Sequence, residues 1–389
     1  MGHQAILFTV FLIFTGAAVL ATLALYTRQS LLVAYVLLGL ILGPSVLDLV
    51  PDTVVITQIA DIGIMFLLFL LGLNLHPQKL LKLGREASLV TGLSALAFGL
   101  LGLAGGRLLG LEWMESLILA AALTISSTII GLKLLPTTVL HNQHTGEVMI
   151  SILLLQDLLA ILVLLAIETG QADTELGLRL ALPVLSFPLV IVVAMVLERF
   201  LLRPLLQRFD RIREYVFLLA IGWCLGIAEL SAVVGLSHTI GAFVAGVALA
   251  SNPIATYIAE SLKPLRDFFL VLFFVTLGIG LDIGAMGEVI LPAIAIAVLT
   301  VLIKPRLFDG LLRLSGEPPG QAREIGVRLG QMSEFSLLIA FMAHQAALIG
   351  SQAFYLIQLA TVLSFMASSY LIVLRYPTPI AISDRLRRD

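Results

Sequence analysis

The feature that most constrains this chain is a succession of long apolar segments separated by short polar connections. A helix needs about 20 apolar residues to cross the hydrocarbon core of a bilayer, and such segments recur along all 389 residues. Charged residues make up only 12% of the chain, against about 25% in soluble domains. The sequence therefore predicts an all-α polytopic membrane protein. The thirteen expected spans have the approximate limits 5–26, 31–48, 54–74, 87–109, 115–134, 146–168, 178–200, 215–231, 235–251, 265–283, 287–308, 324–346 and 352–374.

Basic residues are concentrated in alternate connections between these spans, and the other connections are acidic or neutral. Because cytoplasmic connections of membrane proteins are rich in Lys and Arg, this alternation predicts an outside N-terminus and a cytoplasmic C-terminus. The short tail, residues 375–389, is expected in the cytoplasm. The densest basic group consists of Arg203, Arg208, Arg211 and Arg213.

Internal repetition indicates how the spans are organised. Span two, "AYVLLGLILGPS", resembles span nine, "GAFVAGVALASNP", and span three, "FLLFLLGLNL", resembles span ten, "LFFVTLGIGLD". The offset of seven spans is odd, so the second copy would be inverted in the membrane, as in many secondary transporters. We expect a transmembrane domain over 1–374, with inverted repeats at about 5–168 and 215–374 and a connector helix at about 178–200.

Spans five and twelve correspond in this scheme, and both are unusually polar. Hydroxyl groups and glycine allow a membrane helix to open locally, because side chains re-satisfy the freed backbone groups. Paired broken helices are the best sequence pointer to a transporter's binding site; the alternative is an intact helix whose hydroxyls bond back to i−4 carbonyls. The polar residues are Thr124, Ser126, Ser127 and Thr128 in span five, and Gln331, Ser333, Glu334 and Ser336 in span twelve.

Span six places a carboxylate in the middle of an apolar run, "SILLLQDLLAILVLL", at Asp157. Ionisable residues at this depth are costly and usually mark an ion or proton path; the alternative is a structural partner for Lys304 or for a hydroxyl. A desolvated carboxylate can hold either a proton or a monovalent cation, but not both, and this is sufficient for exchange. Since the neighbouring Gln156 is neutral, we predict electroneutral exchange of about one proton for one cation.

The chain resembles the second monovalent cation:proton antiporter family at an ordered set of motifs. The Gln-Asp pair is similar to that of its Kef-type potassium/proton branch. The resemblance covers nearly the whole chain. The motifs are "GLILGP", "FLLFLLGLNL", "SSTIIGLKLL", "LLLQDLLAI", "GLSHTIGAFVAGVALA", "LRDFFLVLFFVTLGIGLD" and "GQMSEF".

This resemblance implies a homodimer in the cell inner (plasma) membrane. Each subunit would have a dimerisation domain and a mobile core, in which two broken helices cross beside Asp157 and move in an elevator-like way. The ion site would consist of Asp157, Gln156 and the span-five hydroxyls of Thr124, Ser126, Ser127 and Thr128. Lys304, Glu334, Ser333 and Gln331 would be auxiliary or charge-balancing. The partner of Lys304 is left open between Asp157, Glu334 and a helix C-terminus.

The sequence leaves alternatives for the transported ion and for the functional class of the protein. Potassium is favoured, sodium is the alternative in the same fold, and a ligand-gated cation channel or sensor is the alternative of another class. No channel-type filter of repeated carbonyl sequence and no Ser-His-Asp or Cys-His arrangement was found, so neither a channel nor an enzyme is favoured. We expect ions and membrane lipids as partners, with no tightly bound cofactor and no nucleic acid.

Two departures from the family pattern matter. The motif that usually ends span three in Gly-Leu-Glu ends here in Gly-Leu-Asn, at Asn74. Kef-type proteins usually continue into a nucleotide-binding domain that also carries glutathione control, and this sequence has no GxGxxG in the required setting. Whether such a domain or subunit belongs to the protein is left open.

Overall fold

The computed structural model describes residues 2–50, 53–74, 85–134, 144–169 and 178–378, and these residues form an all-helical protein. Most of the predicted tail, residues 379–389, lies outside this range. Among the described residues, six helices are long and apolar enough to cross a membrane, and four shorter apolar helices accompany them. The helices are α1 Gly2–Tyr26, α2 Leu31–Leu42, α3 Thr53–Asn74, α4 Arg85–Leu108, α5 Trp113–Thr124, α6 Thr128–Lys133, α7 His144–Thr169, α8 Leu178–Leu197, α9 Arg203–Phe209, α10 Arg213–Val233, α11 His238–Ala250, α12 Ala255–Ile279, α13 Ile283–Met286, α14 Ile290–Leu314, α15 Pro319–Arg328, α16 Glu334–Gln345 and α17 Ser351–Arg375.

Several predicted boundaries were wrong. Span two was expected to reach residue 48, but α2 ends at Leu42, because the extended Gly43 precedes a proline that cannot continue the helical hydrogen bonding. Span ten was expected from residue 265, whereas α12 begins at Ala255 and contains Pro264. The connector was expected to end at residue 200, but a π-helical turn, Glu198–Leu202, joins α8 to α9.

The chain divides into two compact units. Unit 1 comprises Met1–Val50, Leu83–Ile167 and Leu277–Asp389, and unit 2 comprises Pro51–Lys82 and Glu168–Thr276. The Gln-Asp pair and both segments predicted to be broken lie in unit 1.

Close packing in unit 1 depends on small residues along α4. A methyl group on Gly102 would lie 2.6 Å from Ala120 Cα, and one on Gly106 would lie 2.8 Å from Ser116 Oγ. Small residues spaced four apart allow membrane helices to approach at backbone distance. This contact places α5, which carries the first polar segment, firmly against α4.

In unit 2, α3 and α11 approach each other in the same manner. A side chain on Gly246 would collide with the carbonyl oxygen of Phe69. The indole nitrogen of Trp223 donates a hydrogen bond of 3.0 Å to the carbonyl oxygen of Ala245. The backbone-level contact stabilises the pair α3–α11, and the satisfied buried indole holds α10 against α11.

Candidate functional site

The first polar segment is interrupted as the sequence predicts. Helix α5 ends at Thr124, Ile125 is extended (φ −91°, ψ 142°), and α6 begins at Thr128. Gln156, which is fully buried, bonds to both sides of the gap: its Nε2 donates to Thr124 O (3.2 Å) and its Oε1 accepts from Ser126 N (3.1 Å). Because unpaired buried backbone groups are costly, one glutamine makes the interruption stable in an apolar setting.

The second polar segment is interrupted between α15 and α16, over residues 329–333. The N-cap residue Ser333 accepts from Phe335 N at 3.1 Å, and Ser336 Oγ accepts from Ser333 N at 3.1 Å. Side-chain caps of this kind satisfy the first N–H groups of a helix. Ser364 on α17 adds a further bond, since its Oγ accepts from Met332 N at 3.1 Å.

The two interruptions contact each other. Ser126 Oγ donates to Leu329 O (2.9 Å), and Gln331 Nε2 donates to Ser127 O at the longer distance of 3.4 Å. Ser336 Oγ donates to Ala122 O on α5 at 2.6 Å. The gaps therefore cross, and polar groups from each satisfy the other.

Lys304 on α14 lies at this crossing and is fully buried. Its Nζ donates to Ile125 O (2.8 Å), Gln331 O (2.9 Å) and Ser126 Oγ (3.2 Å), which accounts for all three ammonium N–H groups. The two carbonyls lie just beyond the C-termini of α5 and α15, where helix dipoles place partial negative charge. Of the partners that the sequence left open, the structure shows helix C-termini.

Asp157 lies one residue after Gln156, with only 4% of its surface exposed. Thr128 Oγ1 is 3.3 Å from both carboxylate oxygens, which is long for an O–H···O bond. Glu334, the first residue of α16, is its nearby charged neighbour. Carboxylate and hydroxyl oxygens are the ligands that hard cations prefer, so these three residues form the candidate cation site.

The other predicted ion ligands are engaged in holding the backbone. Thr124 Oγ1 bonds back to Ala120 O at 3.0 Å, and Ser127 Oγ accepts from Ile130 N at 3.1 Å as a cap of α6. Ser126 and Gln156 bond as described above. Of the hydroxyl groups predicted at the ion, that of Thr128 is the one that the structure brings to Asp157. The remaining assignments as ion ligands stay predictions.

Sequence reasoning missed two sets of residues at the second interruption. Ser368 Oγ donates to Gln331 Oε1 (2.9 Å), alongside the bond of Ser364; the i, i+4 serines of "SFMAS" were the available signal. Arg328 is fully buried at the end of α15 and pairs with Glu324 at 2.8 Å. It also donates to Leu134 O (2.8 Å) and Pro377 O (2.9 Å). An arginine inside a predicted span is itself a signal of function or of a buried partner.

Comparison with known proteins gives consistent matches. The family model described as "Sodium/hydrogen exchanger, transmembrane" matches residues 10–373. The chain is 33% identical over 373 residues to the glutathione-regulated potassium-efflux system protein KefC of Klebsiella pneumoniae subsp. pneumoniae, and equally to that of Escherichia coli strain K12. These matches cover 93% of this chain and 59% of each relative, so the chain spans about three fifths of the length of these relatives. The structure of the sodium proton antiporter MjNhaP1 from Methanocaldococcus jannaschii at pH 8 shares the fold, with a TM-score of 0.69, 16% identity and 95% coverage of both chains.

Proposed function

The chain belongs to the sodium/hydrogen exchanger transmembrane family, as the resemblance predicted, and we propose that it exchanges a monovalent cation for a proton at Asp157. The observation that carries this proposal is the state of that carboxylate. It is almost fully buried, lies beside two crossing helix interruptions, and receives long hydrogen bonds from Thr128. In the described ranges of the chain Asp157 has no ion pair, so a cation can bind its oxygen atoms without first breaking one.

Exchange follows from competition at one carboxylate. A proton neutralises Asp157 and removes the charge that attracts the cation, while a bound cation disfavours protonation. If only these two loaded forms cross between the sides of the membrane, each turnover moves one cation against one proton. Alternating access of an elevator type would supply that restriction.

The surrounding charges support electroneutral exchange. Gln156 is neutral and its amide is occupied by Thr124 and Ser126. The Lys304 ammonium donates hydrogen bonds to carbonyl groups, which do not titrate, rather than to an acidic side chain. Glu334 begins α16, where the helix dipole stabilises a negative charge, so we assign it an auxiliary role that keeps its charge through the cycle.

Potassium is the proposed cation. The relatives at 33% identity are named for potassium efflux, and this chain carries the Gln-Asp pair of the Kef-type branch. The solved sodium proton antiporter shares the fold at only 16% identity, and this similarity carries no argument about the ion. Sodium is retained as an arm of the experiment.

Two glycine pairs support the inverted repeats. A methyl group on Gly278 would lie 2.9 Å from Gly39 Cα in unit 1, and one on Gly246 would lie 3.0 Å from Gly72 Cα in unit 2. The repeat scheme compares span two, which carries Gly39, with span nine, which carries Gly246, and the Leu-Gly pair at Gly72 in span three with that at Gly278 in span ten. If Gly39 corresponds to Gly246, each pair would be the symmetry image of the other, and an inverted repeat would explain both contacts.

We extend the proposal to the architecture that the resemblance implies. The protein would have thirteen spans, with a transmembrane domain over 1–374, and would form a homodimer in the plasma membrane. Its N-terminus would be outside and its C-terminus cytoplasmic. Regulation by a nucleotide-binding domain or subunit is a further part of the proposal, motivated by the length of the relatives beyond the matched region.

The decisive experiment measures proton flux in proteoliposomes that hold a pH gradient, with potassium or sodium added in turn. We expect potassium-triggered, saturable flux in the wild type and none in Asp157→Asn, which should remain folded because the substitution keeps size and shape. Sodium preference would change the proposed substrate but keep the mechanism. Cation-driven flux that survives in Asp157→Asn would overturn the proposal.

A further inference from the structure

A histidine–glutamate contact joins the start of α7 to the connection between α14 and α15. His144 Nε2 lies 2.8 Å from Glu317 Oε1. The two side chains differ in exposure, since 58% of His144 is exposed against 7% of Glu317. Glutamate is rarely buried to this extent unless a partner compensates for the lost hydration. The contact therefore pairs a buried acid with a base that solvent can reach.

The end of α14 fixes Glu317 in this buried position. Gly316 adopts the left-handed conformation (φ 103°), and Glu317 N donates to Leu312 O at 2.9 Å. This bond is part of a Schellman motif, which commonly ends a helix at a glycine. Because the backbone of Glu317 is held in this way, its side chain gains hydration only if the connection itself moves.

One carboxylate oxygen of Glu317 lacks compensation. Its Oε2 is buried and has no hydrogen-bond partner within the ranges that the structure describes. A neutral imidazole supplies Oε1 with one N–H donor, whereas an imidazolium supplies a donor and a positive charge. A buried charge without a counter-charge is strongly destabilising. The stability of the buried carboxylate therefore depends on the protonation of His144.

The charged groups around the pair favour the protonated imidazole. Glu147, on the first turn of α7, places its Oε2 4.0 Å from His144 Nδ1, so a carboxylate lies near each ring nitrogen. The helix dipole at the start of α7 opposes a positive charge there, but it acts against these two carboxylates. The charged side chains of α14 and α15 have other partners: Lys304 at the crossing, Arg306 at Leu302 O, Arg313 at Asp309, Arg328 at Glu324, and Arg323 near Tyr376.

The pair connects helices that surround the candidate cation site. Asp157 lies on α7, Lys304 lies on α14, and α15 leads into the second interruption. Apolar side chains of these helices form one buried cluster in unit 1, which includes Met149 and Ile152 of α7, Phe308 and Leu312 of α14, and Ile325 of α15. A movement of the α14–α15 connection away from α7 would therefore alter the packing of the helices that carry the site.

We propose that His144 and Glu317 form a proton-operated clamp between α7 and the α14–α15 connection. Imidazole changes its charge between about pH 5 and 8. At the lower end of this range the two residues form an ion pair and the clamp is closed. As the pH rises, His144 becomes neutral, the buried carboxylate of Glu317 loses its counter-charge, and the connection moves toward water.

The direction of the response follows from proton linkage. The closed clamp binds a proton more tightly than the open clamp, so a rise in pH shifts the population toward the open form. In the proposed orientation this end of α7 faces the cytoplasm, and the clamp would respond to cytoplasmic pH separately from the competition at Asp157. That assignment of the side rests on the proposed function, whereas the clamp rests on the contacts of His144 and Glu317.

The test is amide hydrogen exchange of the reconstituted protein at about pH 6 and about pH 8, on either side of the imidazole titration. Exchange is mapped by mass spectrometry and corrected for its intrinsic dependence on pH. His144→Gln and Glu317→Gln keep polar side chains but remove the ion pair. His238→Gln is the matched control, because His238 Nε2 lies 3.1 Å from Glu229 Oε2, and Glu229 is 73% exposed and hydrated without its histidine.

In the wild type we expect protection at the start of α7 and over residues 314–319 to fall several-fold from the lower to the higher pH. The fall should be absent in both clamp variants and unchanged in His238→Gln. It should persist in Asp157→Asn, so that failure of the clamp and failure of the proposed exchange site are distinguishable. A fall that survives in His144→Gln, or wild-type protection that does not change with pH, would overturn the proposal. A fall that is lost in Asp157→Asn would assign the response to the cation site and would overturn it as well.

Discussion

Replacing Gln156 by Met should destabilise the protein strongly. Met keeps the length and flexibility of the side chain but removes the amide that bonds Thr124 O and Ser126 N. Both backbone groups would then be buried without partners. Each unsatisfied group costs about 1–3 kcal/mol, so the pair amounts to about 2–6 kcal/mol of folding free energy.

The chain offers a matched control in Gln358. This residue is buried on α17, but its Oε1 has no hydrogen-bond partner in the part of the chain that the structure describes. Gln358→Met removes an oxygen whose desolvation is already uncompensated, so we expect a neutral or slightly stabilising change. Both variants replace a buried glutamine by methionine. They differ in the hydrogen bonds that the original amide makes.

The assay is thermal unfolding in one detergent at one scan rate, followed by intrinsic fluorescence. In chains of 150–250 residues 1 kcal/mol corresponds to about 2–4 °C, so Gln156→Met should melt at least several degrees below Gln358→Met. Asp157→Asn should instead keep a melting temperature near that of the wild type while exchange is abolished. If Gln156→Met and Gln358→Met have the same melting temperature, Gln156 does not stabilise the interruption and our interpretation of its hydrogen bonds is wrong.

Three further predictions concern the same region. Gln156→Asp also removes the amide donor to Thr124 O and should lower the melting temperature, but in the folded protein it adds a second titratable group beside Asp157 and should make exchange electrogenic, so that flux responds to an imposed membrane potential; flux through folded protein that is indifferent to potential would contradict the charge argument. Thr128→Val keeps the shape but removes the hydroxyl oxygen near Asp157, and because one polar contact contributes about 0.5–1.5 kcal/mol, the cation KM should rise about two- to tenfold, whereas an unchanged KM would exclude Thr128 from the site. Arg328→Met leaves the partly exposed Glu324 and the carbonyl oxygens of Leu134 and Pro377 without this donor, which costs about 1–3 kcal/mol for each carbonyl that stays buried and unpaired, and should lower the melting temperature with the ion preference unchanged; a shift in preference would instead give Arg328 a role in transport.

The positions of the helix interruptions could be predicted from the sequence, because two spans that correspond in the repeat scheme both carry clustered hydroxyl groups. The identity of the Lys304 partner could not. Lys304 bonds to the main-chain oxygen of Ile125, 179 residues away, and every residue carries such an oxygen. A hydrogen bond to a main-chain oxygen does not depend on the type of the residue that carries it. Such a bond can therefore be identified only when the positions of the helices are known.

The role of Gln156 shows a second reason why sequence reasoning ran short. A neutral amide beside a buried carboxylate is equally compatible with an ion ligand and with a backbone bridge, because an amide can donate and accept. The choice depends on whether an unpaired N–H and C=O lie within reach, and the interruption supplies both. The sequence predicted the interruption and the amide separately, and their direct contact is a property of the fold.

These contacts divide the polar groups of unit 1 into two sets with different functions. Gln156, Lys304 and Gln331 have their donors or acceptors occupied by the backbone of the crossing, so a cation could bind them only by breaking bonds that hold the fold. Among the described residues, the bonds that the oxygens of Asp157 accept are long, and these oxygens are therefore the least costly to redirect toward an ion. It follows that substitutions in the first set should change stability before they change transport, and that the choice between potassium and sodium depends on how much space the crossing leaves around Asp157 and Thr128.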